Sequence, residues 1–513
     1  MVKKIFALLL TAVLSISVLS ACGSGGQGVN SSGSGTETAH KEVLNVAIKG
    51  EPASLDPHMN TQLVSEAIRQ EIFDFLVIKD ENGDIQPSVA EKWEQIDDTT
   101  IRFYLRDDVV FHNGDPLTAE DVKFTLTRAG EKPGSSPLFG GVDGENSVVV
   151  DEYTIDVKMK EPMASIFNYL SAPEGALLPR RVLEEVGDDE FARHPIGSGP
   201  MKMKDWTTGT SIELERNDEY WGNKPTYKNL LFKFISEPAN RTIELETGGV
   251  DIIYDVASND IKRIEENEKL KIVSGTGLKY TYITLNMRDP VFEDARIREA
   301  IACALDIEAI VNNVYKGTAS VADSVMSSNI FGYESQGEIT YDPERAKTLL
   351  AEAGVADNLN ITVMCSDDKV NVDILEIARN QWEAVGITAD IQVMEYATFS
   401  EEEAAGRVQV GLGSFTASTG DPDQALGLWD SEYGGQLQGN DPYIDECLDT
   451  GRTIYDTEAR AAHYAELQEY MWNTHYMIPL AYSDVVFATT DKVEGLQAHP
   501  GNDPYLANVV VYK

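Results

Sequence analysis

Beyond residue 41 two hydrophobic periods take turns along the chain, and their order predicts a mixed α/β body. Val43 to Ile48 opens as a short apolar strand, which Glu51-Pro52-Ala53-Ser54-Leu55-Asp56-Pro57 breaks with two prolines. Val64 to Val77 reads as a helix entering a strand. Ile101 to Arg106 alternates with period two, so one face is buried. Asn113-Gly114-Asp115-Pro116 is turn chemistry. Thr118, three residues ahead of Asp121, then forms a capping box that starts a helix with Val122, Leu126 and Ala129 on one side.

A second strand-rich stretch runs from Ser211 to Ile235. Glu244 to Gly249 predicts a helix with a glycine stop, followed by the apolar strand Val250 to Tyr254. Lys279 to Met287 alternates again: Thr281, Ile283, Leu285 and Met287 face one way, Tyr280, Tyr282, Thr284 and Asn286 the other. Asp294 caps a helix striped by Ile297, Ile301, Ala304 and Leu305, and Asp306 caps another ending at Gly317. Asp342-Pro343 opens a third, with Ala346, Leu349, Leu350 and Ala353 as its stripe and Gly354 past its end. From Asn360 the order strand, helix, strand predicts a βαβ unit and a partly parallel sheet. No internal repeat is visible, and pattern alone gives a multilobed α/β body without a function.

The N-terminus changes that picture. Lys3 and Lys4 precede an apolar run, Ile5 to Leu19, that is too short to span a ~30 Å hydrocarbon core comfortably and reads as a secretory signal. Leu19-Ser20-Ala21-Cys22 resembles the lipobox of bacterial lipoproteins. That resemblance implies cleavage before Cys22 and diacylation of its thiol, with residues 1–21 a signal peptide and 22–41 a lipidated cysteine and flexible linker. Gly23 to His40 is nearly all Gly, Ser, Thr, Asn and Gln, a composition that buries no apolar surface; such a tether has a root-mean-square reach of roughly 23 Å. Gly23, Gly25 and Gly28 satisfy G-x-G-x-x-G, but with no strand before them and no amphipathic helix after them they carry no dinucleotide site.

The remainder, about 470 residues, has room for two or three domains and contains no second long apolar run. The formal net charge is −43, and −45 once Lys3 and Lys4 leave with the signal. So negative a field argues against nucleic acid and against anionic membrane surfaces; it is compatible with cationic or zwitterionic ligands and reads chiefly as a solvated surface. Cys303, Cys365 and Cys447 are widely separated, form no C-x-x-C and make no disulfide framework. The seven histidines show no metal-ligand spacing, and H-E-x-x-H, a P-loop and G-x-S-x-G in a strand–turn–helix context are all missing. No metal, no cofactor and no enzymatic activity are therefore expected; a hydrolase built from dispersed residues is the rival from another class.

Four ordered segments carry a family resemblance. They are Val89-Ala90-Glu91-Lys92-Trp93-Glu94 continuing through Phe103 to Val122; Pro195-Ile196-Gly197-Ser198-Gly199-Pro200 with Leu214 to Asn217 and Tyr220-Trp221-Gly222; Leu285-Asn286 with Asp294 to Ile301 and Ala304-Leu305-Asp306; and Tyr341-Asp342-Pro343 leading to Leu349 to Gly354. Together they resemble bacterial extracellular solute-binding proteins of family 5, the peptide- and nickel-type receptors of ABC importers. The resemblance implies an α/β fold, a type II periplasmic-binding-protein clamp of two lobes with an extra domain in the first. Lobe I is expected at residues 42–57, 195–288 and 486–513, the extra domain at 58–194 and lobe II at 289–485, with chain crossings near 288 and 486 as the hinge. It also implies a monomeric receptor, lipid-anchored through Cys22 in the periplasm or on the outer face of the cell membrane, that hands a captured solute to a permease and ATPase complex.

In peptide-binding members of that family, a lobe II loop carries a Trp and then an Asp that pairs with the peptide amine, ahead of an acidic residue and Pro. The matching loop here is Gly413 to Asp423. Aligned on Asp421-Pro422, the Trp position falls on Phe415 and the amine-binding position on Ser418, which offers only a neutral hydroxyl where a buried ammonium needs a counter-charge or dense acceptors. The Ser418-Thr419-Gly420-Asp421 run is more similar to the glutathione-binding branch. The expected ligand-binding set is Phe415, Thr416, Ser418, Thr419 and Asp421, together with Glu51 after the first strand, Tyr282 and Asn286 on one strand face, and Tyr482. Simpler roles stand beside these: a turn residue for Asp421, core for Tyr282 and Tyr482, a strand-end cap for Asn286. The expected ligand is a peptide or glutathione-like solute; a nickel chelate or an oligosaccharide would suit the same fold, as would a sensor or adhesin without transport.

Overall fold

The alternation from Lys279 to Leu285 belongs to a 16-residue strand, Leu270–Leu285, in a computed structural model, and Asn286 and Met287 lie just past its end. The structure describes residues 40–513 apart from 61, 81–82, 357–358, 432–438 and 502–503. The predicted signal, the Cys22 lipobox and the linker through residue 39 lie outside the described residues. Residues 40 and 41, expected in the linker, are already part of the body: His40 bridges Tyr512, the Lys41 N–H donates to the Val511 carbonyl at 2.8 Å, and the Lys41 ammonium pairs with Asp251 at 2.6 Å.

The long strand is central. Its alternation sends Ile283 and Leu285 into one apolar core and Tyr280 and Tyr282 into another, so both faces are buried. Its antiparallel partner is the strand Met477–Thr490. The two run through the middle of a large mixed sheet and join its halves. On one side, Ile252–Ile253 pairs with Ala488 and Thr489 and continues through Val43–Ile48, Asn229–Phe234, Ser211–Arg216 and Met201–Thr207. On the other, Val410–Thr416 pairs with Lys279 to Leu285 and continues through Leu359–Ser366 and Ile387–Met394.

Between the halves the ladder breaks. Leu270 to Thr276 pairs with Asp484 to Thr490, and pairing resumes only at Tyr280 opposite Tyr482. The pairing thus changes over at 276–280 and 482–484, and residues 280–285 already pair with the second half of the sheet. Gly277 at the break is closely surrounded: an added Cβ would stand 2.9 Å from the Ser483 carbonyl oxygen.

The fold is α/β and two-lobed. The lobe built on the first half of the sheet has the core of Val46, Ile48, Ile72, Phe232 and Phe487; the lobe built on the second half has those of Ile301, Leu350, Val363 and Trp382 and of Tyr282, Trp429 and Tyr464. A further apolar core draws its buried members only from residues 76–177. There a four-stranded antiparallel sheet (Ala90–Asp97, Thr100–Leu105, Thr154–Lys158, Val148–Asp151) packs against the helix Ala119–Glu131. The predicted cap is in place, with the Thr118 N–H and hydroxyl donating to Asp121 Oδ2 at 3.0 and 2.8 Å. Asp294, Asp306 and Asp342 likewise accept the first free N–H groups of their helices.

Candidate functional site

A cavity of about 790 Å³ opens where three parts of the chain meet. The extra domain supplies Lys79, Asp80 and Asp84 and the segment Asn168 to Pro173; the second lobe supplies Asn329 to Tyr333 and the loop through Thr416, Ser418, Thr419 and Gly420; the C-terminal segment supplies Gln497 to Gly501 and Tyr505. Glu66, on the helix Leu63–Ile72, adds a carboxyl to the wall. Polar and apolar surfaces line it together, and Glu66, Asp80 and Asp84 against Lys79 give it an acidic balance among the described residues.

The Thr416–Gly420 loop is fixed from within. Gln424 Oε1 accepts from the Thr419 N–H at 3.0 Å and from its hydroxyl at 2.8 Å, and the Gly420 carbonyl accepts the Phe331 N–H at 3.0 Å. Gly420 has φ +62°, a conformation that a side chain strains, and an added Cβ would meet the Lys79 ammonium at 3.0 Å. Ties also run from the extra domain to the second lobe. Lys79 donates to the Thr419 carbonyl, Asn168 to Asp421 Oδ2 at 2.5 Å, and Tyr169 to Asp423 Oδ2 at 3.2 Å. Tyr455 accepts the Met163 N–H and donates to the Asp98 carbonyl, both at 3.0 Å.

Of the residues singled out from sequence, the structure brings Thr416, Ser418 and Thr419 to the cavity. Phe415 points into the core beside them, edge-on to Tyr280 at 6.2 Å. Asp421 is fully buried and committed: both its oxygens pair with Arg460 at 2.8 and 2.9 Å, and it caps the following turn through the Asp423 N–H. Burial acts to raise its pKa, but the Arg460 guanidinium and the hydrogen bonds outweigh that and hold the carboxyl below its usual range. It is therefore a strut of the loop.

Four more candidates also make contacts within the protein. Glu51 accepts from Trp206 Nε1 at 2.7 Å and the Gly209 N–H at 2.8 Å, which pins the exit of the first strand to a neighbouring hairpin. Tyr282 is fully buried, and burial raises its phenol pKa well above the usual value. The Asn286 amide donates to the Val408 carbonyl at 2.9 Å and closes the strand end. Tyr482 donates to Asp323 Oδ1 at 3.1 Å and accepts the Ser324 N–H at 2.9 Å inside the second lobe. The residues that sequence reasoning missed, among them Lys79, Asp84, Asn329, Tyr333, His499 and Tyr505, come from segments distant in sequence whose local patterns read as turns or irregular chain.

A second cavity, about 430 Å³, adjoins the second-lobe end of the same strand pair and is lined by Lys279, Thr281, Ser366, Asp367, Asp368, Tyr396, Glu403 and Ser414, among others. No group of three His, Cys, Asp or Glu side chains that could hold a metal ion is present among the described residues.

Two lobes joined by a pair of crossing strands, with a cavity of mixed polar and apolar lining walled by several parts of the chain, define a clamp for a small solute. The model for bacterial extracellular solute-binding proteins, family 5 (middle), matches residues 84–436, and the chain belongs to that family. It is 26% identical to the glutathione-binding protein GsiB of Salmonella typhi over 90% of this chain and 93% of that one. It is 27% identical to the oligopeptide-binding protein AppA of Bacillus subtilis over 98% of each. Among solved structures, HbpA2 from Haemophilus parasuis superposes with a TM-score of 0.85 at 24% identity, covering 92% of this chain and all of that one. AppA from Bacillus subtilis, in complex with a nonapeptide, superposes with a TM-score of 0.74 at 26% identity, over 93% of this chain and 100% of its own.

Proposed function

We propose that this protein is the receptor of an ABC importer, capturing a peptide or peptide-like solute such as glutathione between its lobes and delivering it to a permease and ATPase complex. The observation that carries the reading is the 790 Å³ cavity, walled by the Thr416–Gly420 loop of the second lobe, the extra domain and the C-terminal segment together. A ligand in it touches several bodies at once only when the clamp is shut, so binding shifts the open–closed equilibrium by the difference in affinity. The strand break at 276–280 and 482–484 is the hinge of this scheme. The protein works by binding and release, without catalysis, held outside the cytoplasm by the lipid on Cys22. The ligands named for its relatives, glutathione and oligopeptides, support the choice of solute. Ser418 contributes a hydroxyl where peptide-binding members of the family carry a charge, and the acidic wall of Glu66, Asp80 and Asp84 supplies the field for an amine. The test is mass spectrometry of small molecules released on denaturing freshly purified protein. Peptides or glutathione are expected; recovery of a nickel chelate or an oligosaccharide would overturn the choice of solute.

A further inference from the structure

Two histidines stand where the extra domain meets the first lobe, one near each end of the helix Leu63–Ile72, whose Ile68 and Ile72 belong to the first-lobe core. His58 lies in the turn ahead of that helix. Arg69 reaches back from the helix to the Asn60 and Ser54 carbonyls at 2.9 and 3.0 Å. From the other side the Gly134 N–H, just past the extra-domain helix Ala119–Glu131, donates to the His58 carbonyl at 3.0 Å. The fit is close, for a Cβ added to Gly134 would stand 2.6 Å from the Asn60 nitrogen. Arg128 of the extra-domain helix donates to both oxygens of Asp56, whose carboxylate also accepts the His58 N–H at 2.9 Å.

The His58 ring is fully buried, and neither of its nitrogens has a hydrogen-bond partner among the described residues. Burial, with Arg128, Arg69 and Lys132 around the ring, holds its pKa well below the usual value, against the Glu174 backbone. The carboxylates of the seam serve other cations. Asp56 pairs with Arg128, Asp188 with Arg128 and Lys132, and Glu66 and Glu174 support the charge of Arg69 against its burial.

At the far end of the helix, His112 of the extra domain grips Gly197 and Gly199. Its backbone N–H donates to the Gly197 carbonyl at 2.8 Å, its Nδ1 accepts the Gly197 N–H at 3.2 Å, and its Nε2 lies 3.0 Å from the Gly199 carbonyl oxygen. An acceptor at Nδ1 and a donor at Nε2 make one neutral tautomer; a proton on Nδ1 would confront the Gly197 N–H. Burial pushes this ring down to about 4, with Lys202 reinforcing the shift and the Gly199 bond opposing it. Asp115, in the same turn, is engaged by Asn113. The gripped segment has no room to shift: the Gly199 N–H bonds the Ile72 carbonyl at 2.9 Å, and a Cβ on Gly197 would stand 2.0 Å from that oxygen.

We propose that the extra domain and the first lobe meet along an acid-labile seam, closed by neutral His58 and His112, whose parting in acid speeds the loss of captured solute. Once the seam parts and water reaches the rings, each takes a proton with the ordinary value of about 6.5. The closed seam binds fewer protons than the parted one, so it is at full strength above about pH 7 and weakens as pH falls. Between pH 7.5 and 5.5 each histidine makes parting about tenfold easier. The seam backs the first cavity, because Glu66 and Gln70 of the same helix line it together with Ser171 to Pro173, just ahead of Glu174. The loss of solute rests on the receptor reading above; the parting of the seam does not.

The test follows backbone amide exchange, corrected for intrinsic rates, in the ligand-free protein at pH 7.5 and 5.5. It compares the native chain with His58→Phe, which needs no partner, and His112→Gln, whose amide can accept and donate without titrating. Native protection around Gly134 and around Gly197 to Gly199 is expected to fall about tenfold in acid, and each variant to keep it at its own end of the helix. Equal native protection at the two pH values overturns the seam. So does a variant, folded by circular dichroism at pH 7.5, that loses protection at its own end as steeply as the native chain; should one variant not fold, the native chain and the other decide. The same proteins are then loaded at pH 7.5 with a tripeptide pool containing glutathione, and mass spectrometry times its escape after dilution. About tenfold faster escape at pH 5.5 is expected of the native chain and not of the variants. Escape unchanged by acid would overturn the link to the solute, whereas a chain that loads nothing at pH 7.5 would sink the peptide reading and leave the exchange result to judge the seam.

Discussion

Ser418 and Asp421 lie three positions apart in one loop and serve it differently. Asp421 is locked to Arg460 and builds the loop, whereas Ser418 faces the cavity and makes one long contact with the Gln424 amide at 3.4 Å. Ser418→Ala is expected to leave the melting temperature unchanged and to weaken ligand capture by about 1 kcal/mol, roughly fivefold, in titration calorimetry; unaltered affinity would place the ligand elsewhere. The same contrast limits what a sequence can tell. Asp421 reads as a ligand residue until Arg460, 39 positions on, is brought to it, and Glu51 until Trp206 arrives from 155 positions away. Glu71 is the clearest case of a residue defined by distant neighbours: burial raises its carboxyl to about 8, against hydrogen bonds from Leu506 and Ala507 that lower it. With a folded pKa above the unfolded value of about 4.3, its contribution is fully present below pH 4 and is lost as pH rises toward 8. Glu71→Gln should therefore flatten this decline. Thermal melts between pH 5 and 8 are expected to show the variant gaining on the native chain by on the order of 2–3 kcal/mol, and parallel curves would refute the assignment.

Elements whose signals are local were legible. The caps at Thr118, Asp294, Asp306 and Asp342 each depend on a side chain within a few residues of the N–H it satisfies, and all four helices start where the sequence places them. The βαβ unit after Asn360 is also present, as the parallel pair Leu359–Ser366 and Ile387–Met394 around the helix Lys369–Glu383. The break in the long strand was not legible, because Ser274-Gly275-Thr276-Gly277 reads as ordinary strand and turn residues while the break is a property of the pairing. Its environment gives a test. Besides the close Ser483 oxygen, the Gly277 carbonyl accepts the Ser327 hydroxyl at 2.6 Å, and the Leu278 N–H donates to the Pro500 carbonyl at 3.1 Å. Gly277→Ala must displace one of these neighbours. It is expected to cost about 1–3 kcal/mol in chemical denaturation and to change ligand affinity, although no lining side chain is altered. Native stability and native affinity together would mean that the crossing is slack.

For the whole molecule, periodicity predicted a multilobed α/β body, and the arrangement of lobes came from the family resemblance. Neither reaches the ties that hold the extra domain to the second lobe, since they join side chains and backbone from opposite ends of the chain. Tyr455 makes two of them, to Met163 and Asp98. Tyr455→Phe removes both and is expected to favour opening by about 1 kcal/mol, visible in small-angle scattering as a larger radius of gyration for the ligand-free protein and in calorimetry as weaker binding. A scattering profile identical to that of the native chain would show that these ties do not set the aperture. The body also closes on itself in another place: His40 is bridged to Tyr512, and the Lys41 N–H bonds the Val511 carbonyl. A fluorophore or affinity tag added after Lys513 thus emerges beside His40 and Lys41, so immobilisation through the C-terminus and a label placed on Lys41 address the same side of the molecule.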